Sequence, residues 1–299
     1  MLNKKINNAK INLNFFTLTS VALAAGLIGS TLPAHAIDVD PGDWITAPAG
    51  TNMGLVYLQR ANRTQAFAEG ALLSKSAQLQ SSVEVARYVY WTSMAGLPAA
   101  LELVLPAAQL KTGGALSTMG NANGIGDLAL IAPIWLLDNK SNRQAFAVVP
   151  YVYLPTGSYQ KNSPLNVGEN RMKYDLQFGY THGIGEKFNI ELTGDGMIYQ
   201  KNYDAALSQA PLYQAQGYIS YNWTPVTKFA VGTSYYFGGQ TSINGVGQKD
   251  QIKTTNVKVT ASTFITPSDQ VLFTLGRDLS VYSGLKEDSR FNFRYLHIF

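Results

Sequence analysis

The sequence RFNFRYLHIF, residues 290–299, ends the chain and bears most directly on its fold. Side chains alternate between the two faces of a β-strand. One face of this stretch would therefore carry mostly aromatic side chains, namely Phe291, Phe293, Tyr295, His297 and Phe299. The other face would carry Arg290 and Arg294. A closed transmembrane barrel places such an aromatic face against lipid and has no open edge. A soluble β-sandwich could bury the same face, so the stretch alone leaves both folds open.

The composition favours a barrel over a cytosolic enzyme. Charged residues make up 14% of the 299 residues, against about 25% in average globular proteins, while Gly and Tyr are abundant. The mean hydropathy of −0.04 disfavours a bundle of transmembrane helices. The chain has no cysteine, so it can form neither disulfides nor a thiolate metal site. We expect no cofactor and no metal.

Residues 1–36 have the pattern of a cleaved signal peptide. Lys4, Lys5 and Lys10 precede an apolar stretch at residues 15–29, and the small-x-small sequence AHA ends at Ala36. A transmembrane anchor is the weaker alternative, because the apolar stretch is short and contains Thr and Ser. Cleavage after Ala36 removes three lysines and no acidic residue, which lowers the formal charge from +4 to +1. We therefore expect no nucleic-acid partner.

Twelve strands are predicted in the rest of the chain. They are residues 52–60, 78–91, 99–110, 127–137, 144–154, 171–182, 188–199, 210–223, 228–237, 251–265, 270–278 and 289–299. The connections between them alternate between short turns and long loops, and both chain ends lie on the short-turn side. The sixth long connection is expected at residues 279–288. An even strand number with this alternation is typical of outer-membrane barrels. The predicted fold is an all-β, twelve-stranded antiparallel transmembrane β-barrel, with residues 37–51 as an N-terminal segment before the barrel at 52–299.

Several predicted strands set an apolar face against a charged one. The charged faces supply candidates for the lumen of the barrel, namely Arg171, Lys173, Asp175, Glu191, Asp195, Lys253, Arg290 and Arg294. Such charges could bias ion selectivity or could pair across the lumen and brace the wall, and the two roles are compatible. Aromatic residues at strand ends predict girdles at the membrane interfaces. These are Tyr88, Tyr90, Trp91, Trp135, Tyr221, Trp223, Tyr295 and Phe299 at the short-turn rim, and Tyr235, Tyr236 and Phe237 at the other rim. Ordinary core aromatics are the alternative for each of them.

Two stretches could narrow the lumen. The N-terminal segment, rich in Asp, Pro and Gly, is either a lumenal plug or a periplasmic tail. Gly124 and Gly126 end the second long loop, and Asp127 follows directly. Glycines permit tight turns and close approach, so these three residues are candidates for a constriction loop. A phosphate-binding loop is disfavoured because no helix follows.

Short blocks in the loops carry a family resemblance. They include PAGTN at 48–52, GIGDL at 124–128, APIW at 132–135, LPTGSY at 154–159, LNVG at 165–168, GDG at 194–196 and GRD at 276–278. In this order and spacing they resemble the outer-membrane proteins named for the MetA pathway of phenol degradation. His297 departs from the pattern of many outer-membrane barrels, which carry Tyr or an apolar residue two positions before the terminal Phe.

The resemblance implies a monomeric twelve-stranded channel for passive uptake of small hydrophobic or aromatic molecules. Its expected partners are outer-membrane lipid, a small-molecule permeant and the assembly machinery that recognises the terminal signal of Phe291, Phe293, Tyr295 and Phe299. A structural or adhesive barrel without transport is the main alternative. An outer-membrane phospholipase is less expected, because His182 and His297 lie at the periplasmic ends of their strands, so we expect no enzyme. An autotransporter would need a large passenger domain, which these few N-terminal residues do not supply.

Overall fold

The computed structural model describes residues 38–299, so the predicted signal peptide and Ile37 lie outside the described residues. None of the helices in this range is long and apolar enough to cross a membrane. The 3₁₀ helix spans Ser117–Met119. The strands are β1 (Asn52–Ala68), β2 (Ala71–Ser74), β3 (Ala77–Met94), β4 (Leu97–Gly114), β5 (Ala122–Ile125), β6 (Leu128–Ile131), β7 (Ile134–Asn139), β8 (Gln144–Leu154), β9 (Lys173–Ile184), β10 (Phe188–Tyr199), β11 (Leu207–Gln209), β12 (Leu212–Asn222), β13 (Thr227–Gly238), β14 (Thr241–Ile243), β15 (Val246–Gly247), β16 (Ile252–Phe264), β17 (Asp269–Val281) and β18 (Gly284–Ile298).

The long strands form a closed antiparallel barrel. Each pairs with its neighbour in chain order, and β18 returns to pair with β1 from Met53↔Ile298 to Phe67↔Gly284. Strands β6 and β7 together occupy one position in the wall, between β4 and β8. The wall therefore has twelve positions, and the predicted twelve-stranded antiparallel barrel is confirmed.

Alternating side chains give the wall an apolar exterior and a polar interior. On β9, Leu176 and Phe178 are exposed, whereas Asp175 and Gln177 are buried. This alternation follows from the pleat of a β-strand and matches the strand's hydrophobic period of two. The outward face suits hydrocarbon, and the inward face is shielded from it.

The boundaries differ from the predicted ones at the long-loop end of the barrel. Strand β1 runs on to Ala68, and the expected long loop at 279–288 is a two-residue connection at 282–283. Residues 284–289 form strand instead of loop because they pair with the extended part of β1. The predicted strand at 127–137 is broken between β6 and β7 by Pro133, which cannot donate a backbone hydrogen bond.

The terminal strand closes the barrel with its aromatic face outward. Phe291 and Tyr295 are exposed, and the ring of Phe273 on β17 packs against those of Phe291 and Phe293. The unusual His297 has a polar partner, because its Nδ1 lies 2.7 Å from Asp269 Oδ1. The Phe299 amide donates to the carbonyl of Asn52 at 3.0 Å, which ties the last residue to the start of β1.

A charge on the middle of the outer face should destabilise the barrel strongly. Val259 is exposed and pairs with Val231 and Leu275 near the centre of their strands. We expect Val259→Arg to lower the free energy of unfolding by about 2–4 kcal/mol, because an arginine at the bilayer midplane loses its hydration. Urea unfolding in lipid vesicles would measure this loss.

The matched control is Ile265→Arg. Ile265 is also exposed but lies in the turn after β16, at the rim. There an arginine reaches water and should cost only about 0–1 kcal/mol. Equal losses for the two variants would show that this face does not contact hydrocarbon.

Candidate functional site

The N-terminal segment lies inside the barrel. The Gly42 amide donates to Glu191 Oε2 on β10 at 2.8 Å, and Val39 exchanges two hydrogen bonds with the side chain of Gln216 on β12. Gln214, also on β12, donates to Asp38 Oδ1 at 2.9 Å. These wall residues face inward, so the described part of the segment rises from the short-turn end to mid-lumen. Of the two arrangements considered for it, the structure shows the lumenal one.

An aromatic contact anchors the middle of the segment. Trp44 is buried, and its carbonyl accepts a hydrogen bond from Trp135 Nε1 at 3.0 Å. Trp135 packs against Trp91, with ring centroids 4.8 Å apart. On the other side the Trp44 indole covers Gly179 of β9, where even a methyl group would overlap it. The absence of a side chain at Gly179 therefore makes room for Trp44.

Three aromatic residues thus do not belong to the predicted membrane girdles. Trp91, Trp135 and Tyr236 are buried and face the lumen. The residue beside each of them in the strand faces outward; Tyr90, beside Trp91, and Tyr235, beside Tyr236, are exposed aromatics. A run of aromatics at a strand end therefore contains both lumen-facing and lipid-facing side chains. Sequence position alone could not separate them.

Ion pairs fix three aspartates of the segment to the wall. Asp38 Oδ2 lies 2.9 Å from Lys258 Nζ and 2.8 Å from Arg290 Nη1. Arg294 Nη1 lies 2.9 Å from both Asp40 Oδ2 and Asp43 Oδ1. Breaking a buried pair by removing one partner typically costs 3–5 kcal/mol, because the other charge is left uncompensated. The segment is therefore held firmly, though without strand pairing.

The three carboxyl groups titrate differently. Burial raises the pKa of Asp38, but Lys258 and Arg290 outweigh burial and hold that pKa well below its usual range. Burial also opposes ionisation of Asp43, and Arg294 with Arg87 again brings its pKa below the ordinary value. For Asp40, burial prevails over the attraction of Arg294 and raises the pKa to about 6.

The other predicted lumen charges fall into three groups. Arg171 and Lys173 both pair with Glu169 from the third long loop. Asp175 and Asp195 are buried on the inner face, and neither forms an ion pair within residues 38–299. Lys253 was placed in the lumen incorrectly. It is exposed on the outer face, where its ammonium lies over the ring of Tyr282 near the long-loop rim, and its neighbour Thr254 is buried instead.

The glycine loop closes the wall and does not cross the lumen. Residues 122–125 pair with β4, and the Gly126 amide donates to the carbonyl of Pro106. Gly124 has a φ of +151°, and its neighbour Ile125 donates to Ser158 Oγ. The carboxylate of Asp127 accepts from the amides of Gly157 and Glu169, which joins this loop to the third. The residues suspected of forming a constriction loop therefore act mainly as a junction between loops.

A cavity of about 460 Å³ occupies the lumen between the long loops and the N-terminal segment. Val39 and Trp44 lie at one end of it, and loop residues such as Lys249 lie at the other. One part of its wall is apolar, formed by Leu79, Leu110, Leu116, Met119 and Leu165. Another part is charged, where Arg63 pairs with Glu287 and Glu287 with Arg290. The cavity can therefore hold a small molecule with an apolar body and a polar group.

Sequence reasoning missed several lumenal charges. Arg87 pairs with Glu102 at 2.9 Å across β3 and β4, and Lys258 binds Asp38. The signal for Lys258 was present, because it lies between Val257 and Val259 in an alternating strand and must share a face with the polar residues.

The comparisons agree with this geometry. The structure is similar to the COG4313 outer membrane channel from Pseudomonas putida F1, with 36% identity and a TM-score of 0.85 over 88% of this chain and 100% of that chain. The β domain of the Bordetella autotransporter BrkA shares the fold at 7% identity and a TM-score of 0.52, covering 84% of this chain and 100% of that one. No curated protein matched the sequence.

A closed twelve-stranded barrel with an apolar exterior and a polar lumen is an outer-membrane β-barrel with a channel fold. The family model described as "Putative MetA-pathway of phenol degradation" matches residues 61–295, and the chain belongs to this family.

Adding one methyl group at Gly179 should dislodge the segment. Alanine there would overlap the Trp44 indole, and overpacking of this kind costs about 1–3 kcal/mol. We expect Gly179→Ala to raise the frequency of channel openings in planar bilayers by about tenfold or more. Gly194→Ala on β10 is the control, because a methyl there has 3.9 Å to its nearest neighbour. Identical opening frequencies for the two variants would contradict the packing role of Trp44.

Mild acid should hold the segment in place more tightly. The docked pKa of Asp40, about 6, lies above its ordinary value of 3.8, so docking takes up a proton. The extra stabilisation of the docked segment is therefore fully present below pH 3.8, the ordinary pKa, and is lost as the pH rises through the docked pKa of about 6. Between pH 7.5 and pH 5 docking should strengthen about tenfold. Single-channel recordings should therefore show fewer openings at pH 5, and Asp40→Asn should remove this difference. More openings of the wild type at pH 5 would contradict the account.

Proposed function

We propose that this protein mediates passive uptake of small hydrophobic or aromatic molecules across the bacterial outer membrane. The observation that supports this most is the cavity of about 460 Å³ that ends on the N-terminal segment. Ligand sites typically have volumes of about 300–1,000 Å³, mostly apolar walls and a few polar groups that fix orientation. The cavity meets all three criteria.

The lining suggests an amphipathic permeant. Leu110, Leu116 and Met119 offer an apolar surface to an aromatic ring or an alkyl chain. Arg63 and Arg290 lie in another part of the lining, where both pair with Glu287. A carboxylate on the permeant would exchange with that of Glu287, because guanidinium groups bind carboxylates well. Small aromatic acids therefore match the site better than neutral sugars do.

The N-terminal segment is the proposed gate. Its described contacts with the wall are hydrogen bonds, ion pairs and packing around Trp44, all of which are reversible. Displacing the segment would connect the cavity to the periplasmic end of the lumen, and the permeant would then pass without energy input or chemical change. The barrel closes through its own β1 and β18, so one chain can work as a monomer. The aromatic terminal strand is the proposed signal for the assembly machinery.

Flux into protein-containing vesicles tests the proposal. An aromatic carboxylate at pH 7.5 crosses lipid slowly, so its uptake reports the protein. We expect uptake above protein-free vesicles for the wild type and faster uptake for Gly179→Ala. A hydrophilic sugar of similar size should pass more slowly through both.

The outcome that favours a structural or adhesive barrel is equally clear. Folded wild type and folded Gly179→Ala would both leave the vesicles as impermeable to the carboxylate as protein-free ones. Because the variant is designed to release the segment, a closed resting state alone could not explain that result.

A further inference from the structure

The carboxylate of Asp38 lies in a pocket formed by four side chains of the barrel wall. Its Oδ1 accepts hydrogen bonds from Gln214 Nε2, at 2.9 Å, and from the Tyr236 hydroxyl. Its Oδ2 lies 2.9 Å from Lys258 Nζ and 2.8 Å from Arg290 Nη1. Two cations and two neutral donors thus hold both oxygens, as a specific carboxylate site requires. We call these four wall residues the carboxylate pocket.

Strand pairing positions the carboxylate pocket. Gln214 and Tyr236 lie directly opposite each other in the register of β12 and β13. Lys258 on β16 and Arg290 on β18 both lie opposite Gly276 of β17, which is between them. Because Gly276 has no side chain, nothing separates the two cations on the inner face. The four donors are therefore fixed by the wall and do not depend on the N-terminal segment.

The carboxylate pocket opens on the cavity. Tyr236 and Arg290 line the cavity together with Asp38. Arg290 also pairs with Glu287, the carboxylate that an anionic permeant would replace higher in the cavity. A carboxylate that has reached Glu287 therefore meets the pocket next, at the point where the described part of the segment begins.

The pocket needs an anion at all times. Lys258 is buried, and within residues 38–299 Asp38 is the carboxylate that pairs with it. A buried charge that loses its partner is strongly destabilising. The segment can therefore leave the pocket at low cost only when another carboxylate takes the place of Asp38.

We propose that the carboxylate pocket binds the carboxylate of the permeant, and that Asp38 is its occupant in the closed state. The permeant and Asp38 compete for the same four donors. An anionic solute therefore releases the end of the segment, whereas a neutral solute of the same shape does not. The identity of the ligand rests on the proposed function, and the inference extends that function by naming the binding site and the trigger for opening.

Calorimetric titration of the folded protein in detergent tests the site without any transport assay. Benzoate is the probe, and benzamide is its neutral analogue. Asp38→Ala removes the competitor and leaves the four donors free. Benzoate should bind this variant about tenfold more tightly than the wild type, because apparent affinity scales with the fraction of protein whose site is free. Benzamide should not distinguish the two proteins. Equal benzoate affinities would overturn the proposal.

Asp43→Ala is the matched control. It removes another aspartate of the segment and leaves Asp38 in its pocket. The two arginines that pair with Asp43 each keep a second carboxylate partner, so this variant creates no vacant anion site. Its benzoate affinity should equal that of the wild type. An increase as large as that in Asp38→Ala would show that loosening the segment is sufficient and would overturn the proposal.

A double variant separates the pocket from other anion sites. Asp38→Ala with Lys258→Met removes both members of one ion pair, so neither charge is left alone. Heat-modifiable migration should show a folded barrel, and the gain in benzoate affinity should be lost. Tight benzoate binding by the double variant would place the ligand elsewhere and would contradict the proposal.

Thiol alkylation tests the trigger. The chain has no native cysteine, so Val39→Cys places a single thiol beside Asp38, in the part of the segment bound to β12. Benzoate should speed its reaction with a hydrophilic maleimide, and benzamide should not. The same rate with and without benzoate would refute release of the segment. A barrel that passes these tests but stays impermeable to benzoate would support the carboxylate pocket and contradict the proposed function alone.

Discussion

The closure of the sheet through β1 and β18 is the constraint on which the rest of the structure depends. A strand in hydrocarbon has no water to satisfy its backbone, so an open edge would leave a row of unpaired N–H and C=O groups. The pairing from Met53↔Ile298 to Phe67↔Gly284 removes that edge. Because the register of this pair fixes which residues face out, it also sets the aromatic face of the last strand against lipid and directs Arg290 and Arg294 inward.

The enclosed interior creates a second requirement. Arg87, Arg290, Arg294 and Lys258 face a lumen where each needs an anionic partner, and the N-terminal segment supplies three aspartates at suitable positions. The wall and the segment therefore stabilise each other. The contacts between them, polar groups and the packing of Trp44, are all noncovalent, so the segment can fill the lumen and still be displaced. The cavity above it combines an apolar surface with charged groups, which is the chemistry expected of a pathway for small amphipathic molecules.

The local sequence pattern predicted much of the fold but little of the arrangement of side chains inside the lumen. A period of two assigned the faces of Asp175 and Glu191 correctly, because each strand repeats its alternation over several residues. The same rule places Lys253 outside, because its neighbour Thr254 faces the lumen and adjacent residues of a strand face opposite sides. The prediction was wrong because it followed the charge of Lys253 instead of this alternation. A lysine near the rim can extend its ammonium to the interface, so charge alone does not mark the lumen. Residues 284–289 form strand because they pair with the C-terminal part of β1, and nothing in their own sequence indicates that partner. The position of the N-terminal segment depends on Gly179, Arg294 and Gln216, which come from three separate strands and meet only after the barrel closes.

The claim that the N-terminal segment occupies the permeation pathway can be tested by tethering it to the wall. The chain has no native cysteine, so Val39→Cys with Gln216→Cys places the only two thiols at a contact between the segment and β12. A reducible bis-maleimide then joins them, and aromatic carboxylate flux into vesicles is measured before and after reduction. We expect flux near the protein-free level while the tether is intact and a return to the level of the untreated double variant after reduction. The same flux in both states would contradict the account.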